Sequence, residues 1–281
     1  WVWRGRSPKH IASLMVGQVM GLPVFEKHSK ERAGALMDYF RFARDSDAYM
    51  TYVIINPQAD RNKSTGEQQD EFLATGVVDE DAEGITVRGA KMLGTGSIMA
   101  NEVLFANIQP LKPGEEKYAI SFAIPMNTKG LKVMSRRSYE ESATSSFDYP
   151  LSSRFDENDA LVYCDDVKVP WERVFIYKDT DTARGQFQDT YAHYMQNYQA
   201  MIRLMVKMQF QIGVARRMCE TIGTVGMPPV AEKLGHMAAQ AAMVEGLVYG
   251  MESGGGEFNG YYVPDRNLMY TAQVLTQQLY P

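Results

Sequence analysis

Cysteine is nearly absent: Cys164 and Cys219 are the only two among 281 residues. That scarcity argues against a disulfide framework and for a reducing, cytosolic setting. No apolar run approaches the roughly 18 residues needed to cross a bilayer, so no membrane partner is expected, and no stretch reads as a signal peptide. Excess positive charge is also lacking. Lys and Arg number 29 against 34 Asp and Glu, a net charge of -5, which argues against a nucleic-acid partner. The four histidines, His10, His28, His193 and His236, show no ligand spacing with a cysteine, so no metal site is expected. Internal repeats and low-complexity tracts are absent too. What is present is ordinary globular composition, 45% hydrophobic and 22% charged, in a chain long enough to bury a sizeable core. The 18 methionines and 16 tyrosines read as adaptable core packing. The chain opens on Trp1-Val-Trp-Arg without an initiator Met and stops inside an apolar helical pattern with no capping signal, so a longer protein, truncated at both ends, is expected.

Three regions follow from the periodicity. Residues 1–50 read as the end of a helical domain. Ser7-Pro8 suits a helix start, Ile11, Leu14, Met15 and Val19 recur at helical spacing, Gly21-Leu-Pro23 interrupts, and a second helix opens near Ser29. Residues 51–182 read as a β domain. Tyr52-Val-Ile-Ile55 ends at Asn56-Pro57, residues 76–89 form a hairpin with an acidic turn, and short strand-like pieces continue to Ile176. Many short strands with turns between them suggest a barrel or a sandwich. Residues 183–281 return to a helical period, with Tyr191, Met195, Tyr198, Met201, Met205 and Met208 on one broad stripe. Gly226-Met-Pro-Pro229 and Gly254-Gly-Gly256 break it, and Asp265 opens a last helix. Long helices of this kind need partners, so this region is the first part of a helical bundle. The order of helices, β domain and helices gives an α+β fold of the acyl-CoA dehydrogenase-like class.

One stretch is more specific. Tyr149-Pro-Leu-Ser-Ser-Arg-Phe-Asp-Glu-Asn-Asp-Ala160, followed by Val169-Pro-Trp-Glu-Arg-Val174 and Ile176-Tyr177, closely resembles a signature of the 4-hydroxyphenylacetate 3-hydroxylase family, oxygenase component. Gly5-Arg-Ser-Pro8, Asn56-Pro-Gln-Ala-Asp-Arg61, Gly89-Ala-Lys91 and Ser138-Tyr-Glu140 match as well. The resemblance implies an oxidoreductase: a two-component, FADH2-dependent phenol monooxygenase of aromatic compound catabolism. In that reading a separate NAD(P)H:flavin reductase supplies reduced FAD, O2 adds to give a C4a-hydroperoxide, and a phenolic substrate such as 4-hydroxyphenylacetate or a substituted phenol is hydroxylated. It also implies a cytoplasmic homotetramer. The protein's own tasks would be to exclude water and to help ionise the phenol.

The same resemblance nominates residues. Arg6 matches an arginine near the flavin and the substrate hydroxyl, where a guanidinium can stabilise developing negative charge. His10 stands where the family carries Tyr, and Tyr52 where it carries a substrate-contacting His. This apparent exchange either keeps one donor and acceptor pair from opposite sides or marks a different substrate. Gln58, Asp60 and Arg61 follow the Asn-Pro turn in a loop that runs along FAD in the family, and a turn with an arginine suits a pyrophosphate. Thr95 and Ser97 match a loop near the isoalloxazine, and Asn107 and Ile108 fall near a substrate loop. His193 falls in the region from which some family members draw a histidine base. Taken without the resemblance, Arg6 reads as a surface arginine, His10 as a cap, residues 58–61 as a polar turn, and Asp156, Glu157 and Asp159 as a solvated or salt-bridged turn. Two alternatives stand beside the hydroxylase: a flavin-binding homologue without that activity, and a 4-hydroxybutyryl-CoA dehydratase-like enzyme. The second needs cluster-ligating cysteines, and no cysteine precedes residue 164.

Overall fold

A computed structural model describes residues 9–279. It divides into two compact units, one within residues 9–192 and one within 193–279.

The first unit opens with three helices, α1 (Lys9–Met20), α2 (Leu22–His28) and α3 (Lys30–Asp45). Pro23 in the first turn of α2 supplies the break read from the sequence, because proline cannot donate into a continuing helix. Ser29 caps α3, its hydroxyl accepting from Arg32 N at 3.2 Å. The predicted cap at Ser7-Pro8 lies outside the described residues.

Eight strands follow: β1 (Met50–Val53), β2 (Gly76–Glu80), β3 (Gly84–Lys91), β4 (Glu102–Phe105), β5 (Ile120–Pro125), β6 (Leu131–Ser135), β7 (Ala160–Pro170) and β8 (Val174–Tyr177). A short helix, α4 (Tyr139–Ser142), lies between β6 and β7. The strands form two four-stranded sheets, ordered β1-β4-β5-β8 and β2-β3-β7-β6. Among the described strands β1 and β4 pair parallel and the others antiparallel. The predicted hairpin is β2–β3, and its acidic turn is closed by Asp81 Oδ1, which accepts from Glu83 N at 2.8 Å and Gly84 N at 3.1 Å.

The sheets face each other across one apolar layer. Val53, Val103, Phe105, Phe122 and Ile124 come from the first sheet, and Ile85, Val87, Val162 and Val167 from the second. The Phe105 and Phe122 rings stack at 4.6 Å. Leu104, Ala123 and Ile176 alternate onto the other face of the first sheet and pack under Leu14, Phe25, Leu36 and Tyr39 of the helices. The unit is therefore a sandwich with a helical layer on one side, one of the two arrangements, barrel or sandwich, that the strand pattern left open.

Helix α5 (Thr180–Gln188) returns to that helical layer, burying Ala183 and Phe187. The sequence pattern merges it with the next helix, but the structure separates them at Asp189–Tyr191. Here Gly17 of α1 lies against the backbone: a Cβ at position 17 would stand 2.4 Å from Ala192 N. Tyr191 N donates to Gly17 O at 3.2 Å. Only glycine permits so close an approach.

The second unit contains α6 (Ala192–Thr221) from His193 onward, α7 (Pro228–Ser253), a hairpin of β9 (Gly256–Phe258) and β10 (Tyr261–Val263), and α8 (Arg266–Leu279). Met208 of α6 packs with Ala241 and Val244 of α7, and Asp265 caps α8 by accepting from Leu268 N at 2.7 Å. The hairpin is an addition to the sequence reading. Asn259 and Gly260 both take positive φ, 48° and 81°, which suits a two-residue turn. Among the described residues no helix is long and apolar enough to cross a membrane.

Candidate active site

The N-terminal half of α1 and the strand β1 bring His10 and Tyr52 together. His10 is buried, and its ring lies 5.9 Å from the Tyr52 ring, tilted by 54°. The two positions at which the sequence departs from the family pattern are thus neighbours. Arg6, the third member of this predicted group, lies outside the described residues.

Past Tyr52 the chain leaves the sheet through the Ile55–Met92 bridge and enters the Asn56-Pro57 turn. The turn opens a cleft of about 440 Å³, lined by Gln58, Asp60 and Arg61 together with Asn56, Ser64 and Gln109. All three predicted cofactor residues of this loop therefore share one concavity. Asp60 is committed to its own loop: its carboxylate accepts from Asn62 N at 3.0 Å and pairs with Lys63 at 3.8 Å. Arg61 makes no hydrogen bond or ion pair among the described residues, which leaves its guanidinium available at the cleft. Asn56 donates to Gln109 Oε1 at 2.6 Å, while its own Oδ1 is buried without a partner. A buried acceptor of that kind is a place for a ligand donor.

Thr95 and Ser97 do not line this cleft. Thr95 Oγ1 donates to Asp159 Oδ1, and Thr95 O accepts from Thr51 Oγ1 at 2.8 Å. Ser97 is buried with its hydroxyl unpartnered. Gly94 N and Gly96 N donate to Ala160 O and Asn158 O at 2.9 and 2.7 Å, so the end of the signature stretch anchors the loop that carries Thr95 and Ser97. The acidic residues of that stretch work as struts. Asp156 accepts from Arg136, Ser138 Oγ and Tyr139 N, and the Arg136 guanidinium holds its carboxyl below the usual aspartate range.

Asn107 is buried and Ile108 is exposed. Asn107 Oδ1 accepts from Lys91 Nζ at 2.9 Å, and its amide donates to Gln109 O at 2.8 Å. Lys91 closes the Gly89-Ala-Lys91 motif at the end of β3. Its role is legible in Gly89, which takes φ 115° at a bulge in the pairing of β3 with β7. A bulge re-aims the strand; beyond it Gly89, Ala90 and Lys91 are buried in succession instead of alternating. Burial alone pushes the Lys91 ammonium down to about 7.

His193 belongs to the second unit. It is half-buried, and burial lowers its pKa from the usual histidine value. Asn197 Nδ2 donates to His193 O at 2.7 Å, and the Tyr194 and Tyr270 rings lie 5.6 and 6.2 Å from its ring. Tyr270 OH donates to Tyr194 OH at 3.2 Å, and Arg266 lies 4.4 Å from the Tyr194 ring.

Comparison with known proteins places this geometry. Residues 1–176 match the model of the 4-hydroxyphenylacetate 3-hydroxylase N-terminal family, and residues 183–281 match its C-terminal counterpart. The chain belongs to the 4-hydroxyphenylacetate 3-hydroxylase family. It is 34% identical over 278 residues to the oxygenase component of 4-hydroxyphenylacetate 3-monooxygenase from Thermus thermophilus, covering 99% of this chain and 56% of that protein. It is 35% identical to the oxygenase component of 4-nitrophenol 2-monooxygenase from a Rhodococcus species, covering 94% of this chain and 50% of that protein. A crystal structure of an oxygenase component of 4-hydroxyphenylacetate 3-monooxygenase, complexed with FAD and 4-hydroxyphenylacetate, superposes with a TM-score of 0.92 at 34% identity. That match covers 100% of this chain and 58% of the other. The chain thus spans about half the length of the curated relatives it matches. An archaeal 4-hydroxybutyryl-CoA dehydratase (TM-score 0.83, 21% identity) and a steroid acyl-CoA dehydrogenase (0.55, 15%) share the fold, as the element order predicted.

Proposed function

We propose that this chain is part of the oxygenase component of a two-component phenol monooxygenase that works with reduced FAD and O2. The observation that carries this reading is the likeness, across the whole chain, to an oxygenase component bound to FAD and 4-hydroxyphenylacetate. The residues present fit the cofactor. The cleft offers an unpaired cation at Arg61 for a phosphate and a buried, unpartnered acceptor at Asn56 for a hydroxyl or amine. When bound, the cofactor supplies activation of O2 and an electrophilic oxygen.

The chain's own residues act on the phenol. An aromatic ring attacks an electrophile better once its hydroxyl has lost its proton, so a base or strong hydrogen-bond acceptor is needed there. His10 is that group, and Tyr52, in ring contact with it, orients the same hydroxyl. Burial of His10 keeps water from competing for the proton. Arg6, Asn107 and Ile108 complete the substrate side, Gln58, Asp60 and Arg61 take the dinucleotide, and Thr95 and Ser97 the flavin edge. His193 is a second base for substrates that must lose a further group. A separate flavin reductase delivers the cofactor, and the protein acts in the cytoplasm as a homotetramer. Apolar residues exposed on the second unit, including Met218, Ile222 and Met227, support self-association.

The test mixes the protein and photoreduced FAD with O2 in the presence of a panel of simple phenols. Hydroxylated product that falls by about 10²- to 10⁴-fold in His10→Ala supports the reading. Flavin reoxidation with no product from any phenol overturns it in favour of a flavin-binding homologue.

A further inference from the structure

A lysine carried into a protein interior usually brings a carboxylate with it, because removing an ammonium from water is costly. Lys91 brings none. It is 3% exposed, and its one polar contact among the described residues is the bond to Asn107 Oδ1 at 2.9 Å. An ammonium has three donors, so most of its hydrogen-bonding capacity is unused. The elements around it are β7, which pairs Val162 with Lys91, the Ile55–Met92 bridge, the segment after β4, and α5, whose Gln186 Nε2 donates to Asn107 O at 3.5 Å. Asp165, Asp166 and Lys168 on β7 and Asp181 and Arg184 on α5 contribute nothing to its titration, which burial alone has moved. From this amine a run of hydrogen bonds leads outward. Asn107 donates to Gln109 O at 2.8 Å, and Asn56 donates to Gln109 Oε1 at 2.6 Å. Asn56 and Gln109 both line the cleft.

We propose that Lys91 is the buried countercharge of the cleft: it takes up a proton when a negatively charged dinucleotide enters, and through Asn107 and Gln109 it holds the cleft wall in position. The physical reason is that an uncompensated interior amine sits near the balance between its charged and neutral forms, and an anion nearby tips that balance towards the ammonium. Lys91 is a positioning residue here; it need not touch the ligand. The inference rests on the cleft being the FAD site.

Oxidised FAD is titrated into the protein between pH 6 and pH 9, in buffers of differing ionisation enthalpy so that bound protons are counted. The wild type should take up a proton at pH 8 and lose affinity about tenfold as the pH rises through the range, as linkage requires. Lys91→Met should abolish both uptake and slope. Lys91→Arg should keep the affinity without the uptake. A His10→Gln control removes the His10 imidazole, a side-chain type that exchanges protons within this pH range. Independently of any variant, the lysine side-chain carbon resonance next to Nζ should titrate near neutrality in the free protein and move upward with FAD. Uptake and slope that persist in Lys91→Met overturn the proposal, as does a resonance that FAD leaves unmoved. Arg61→Ala and Asn56→Leu separate the two readings. If neither weakens FAD binding, the cleft assignment itself fails; if both do while Lys91→Met keeps the linkage, only the role of Lys91 fails.

Discussion

Residues 9–192 and residues 193–279 solve the problem of burial in opposite ways. The first region completes its own interior. Two sheets share one apolar layer, and a helical layer shields the outer face of the first sheet, so Phe25, Leu36, Phe105, Phe122 and Ile176 are all but inaccessible. Its acidic groups Asp156, Glu102 and Asp81 each gather donors. The second region has long helices and little interior. Beyond Met208 no residue of α6 is buried, and Met218, Ile222, Met227, Tyr249 and Val274 are exposed. A helix that presents apolar side chains on such a surface has its stabilising contacts still to make. The first region is therefore where single substitutions should cost folding energy, and the second is where they should alter association.

The sharpest way to break that contrast is Phe122→Ala. It removes a fully buried ring stacked on Phe105 and should cost about 3–5 kcal/mol in a denaturant titration. A cost under about 1 kcal/mol would mean the layer between the sheets is not the close-packed core described.

Lys91→Met should move stability the other way. The folded amine titrates near 7 and the unfolded one near 10.5, so between those values the unfolded chain binds the extra proton. The native lysine therefore destabilises fully below pH 7, and that penalty disappears as the pH rises to the unfolded value. Methionine removes a burial penalty of about 5 kcal/mol but strands Asn107, at about 1–3 kcal/mol. A net gain of about 2–4 kcal/mol at pH 7 follows from those two terms, and it should become a small loss above pH 10. Melting curves across that range check it, and a gain independent of pH would refute the account.

Asp156→Ala should cost about 1–3 kcal/mol. Because the folded carboxyl lies below its ordinary value of 3.8, the stabilisation is present above that value and fades as the pH falls below it. Wild type and variant should therefore converge in acid unfolding experiments. The smallest expected effect on folding belongs to Ile222→Ser, exposed in the turn just past α6, within about 0.5 kcal/mol. Its consequence should appear instead in sedimentation, as weaker self-association. A large loss of stability there would erase the difference between the two regions.

Local chemistry was legible wherever one residue settles a conformation. Ser29 as a cap, the acidic β2–β3 turn and Asp265 at the start of α8 are each fixed by a hydrogen bond within a few residues, and Pro23 as a break by the donor it lacks. The split between α5 and α6 was not legible, because it depends on Gly17, far away in sequence, lying against Tyr191 and Ala192. The parallel pairing of β1 with β4 is equally non-local. The β9–β10 hairpin could have been found: Asn259-Gly260 is a strong two-residue turn signal, outweighed by reading Gly254-Gly-Gly256 as a simple break. In the site, the contact of His10 with Tyr52 and the grouping of Gln58, Asp60 and Arg61 follow positions nominated by resemblance. Lys91 was hidden because lysine ordinarily marks a solvated surface, and only the bulge at Gly89 turns it inward.

Position 17 also bears on how this protein tolerates change. The helix that carries His10 is seated by a hydrogen atom where every other amino acid has a carbon. In a library randomised at that codon, survivors should be almost exclusively glycine. If the proposed hydroxylation holds, variants that lose it there would be scored as catalytic mutants, although no group proposed to meet the substrate has been altered.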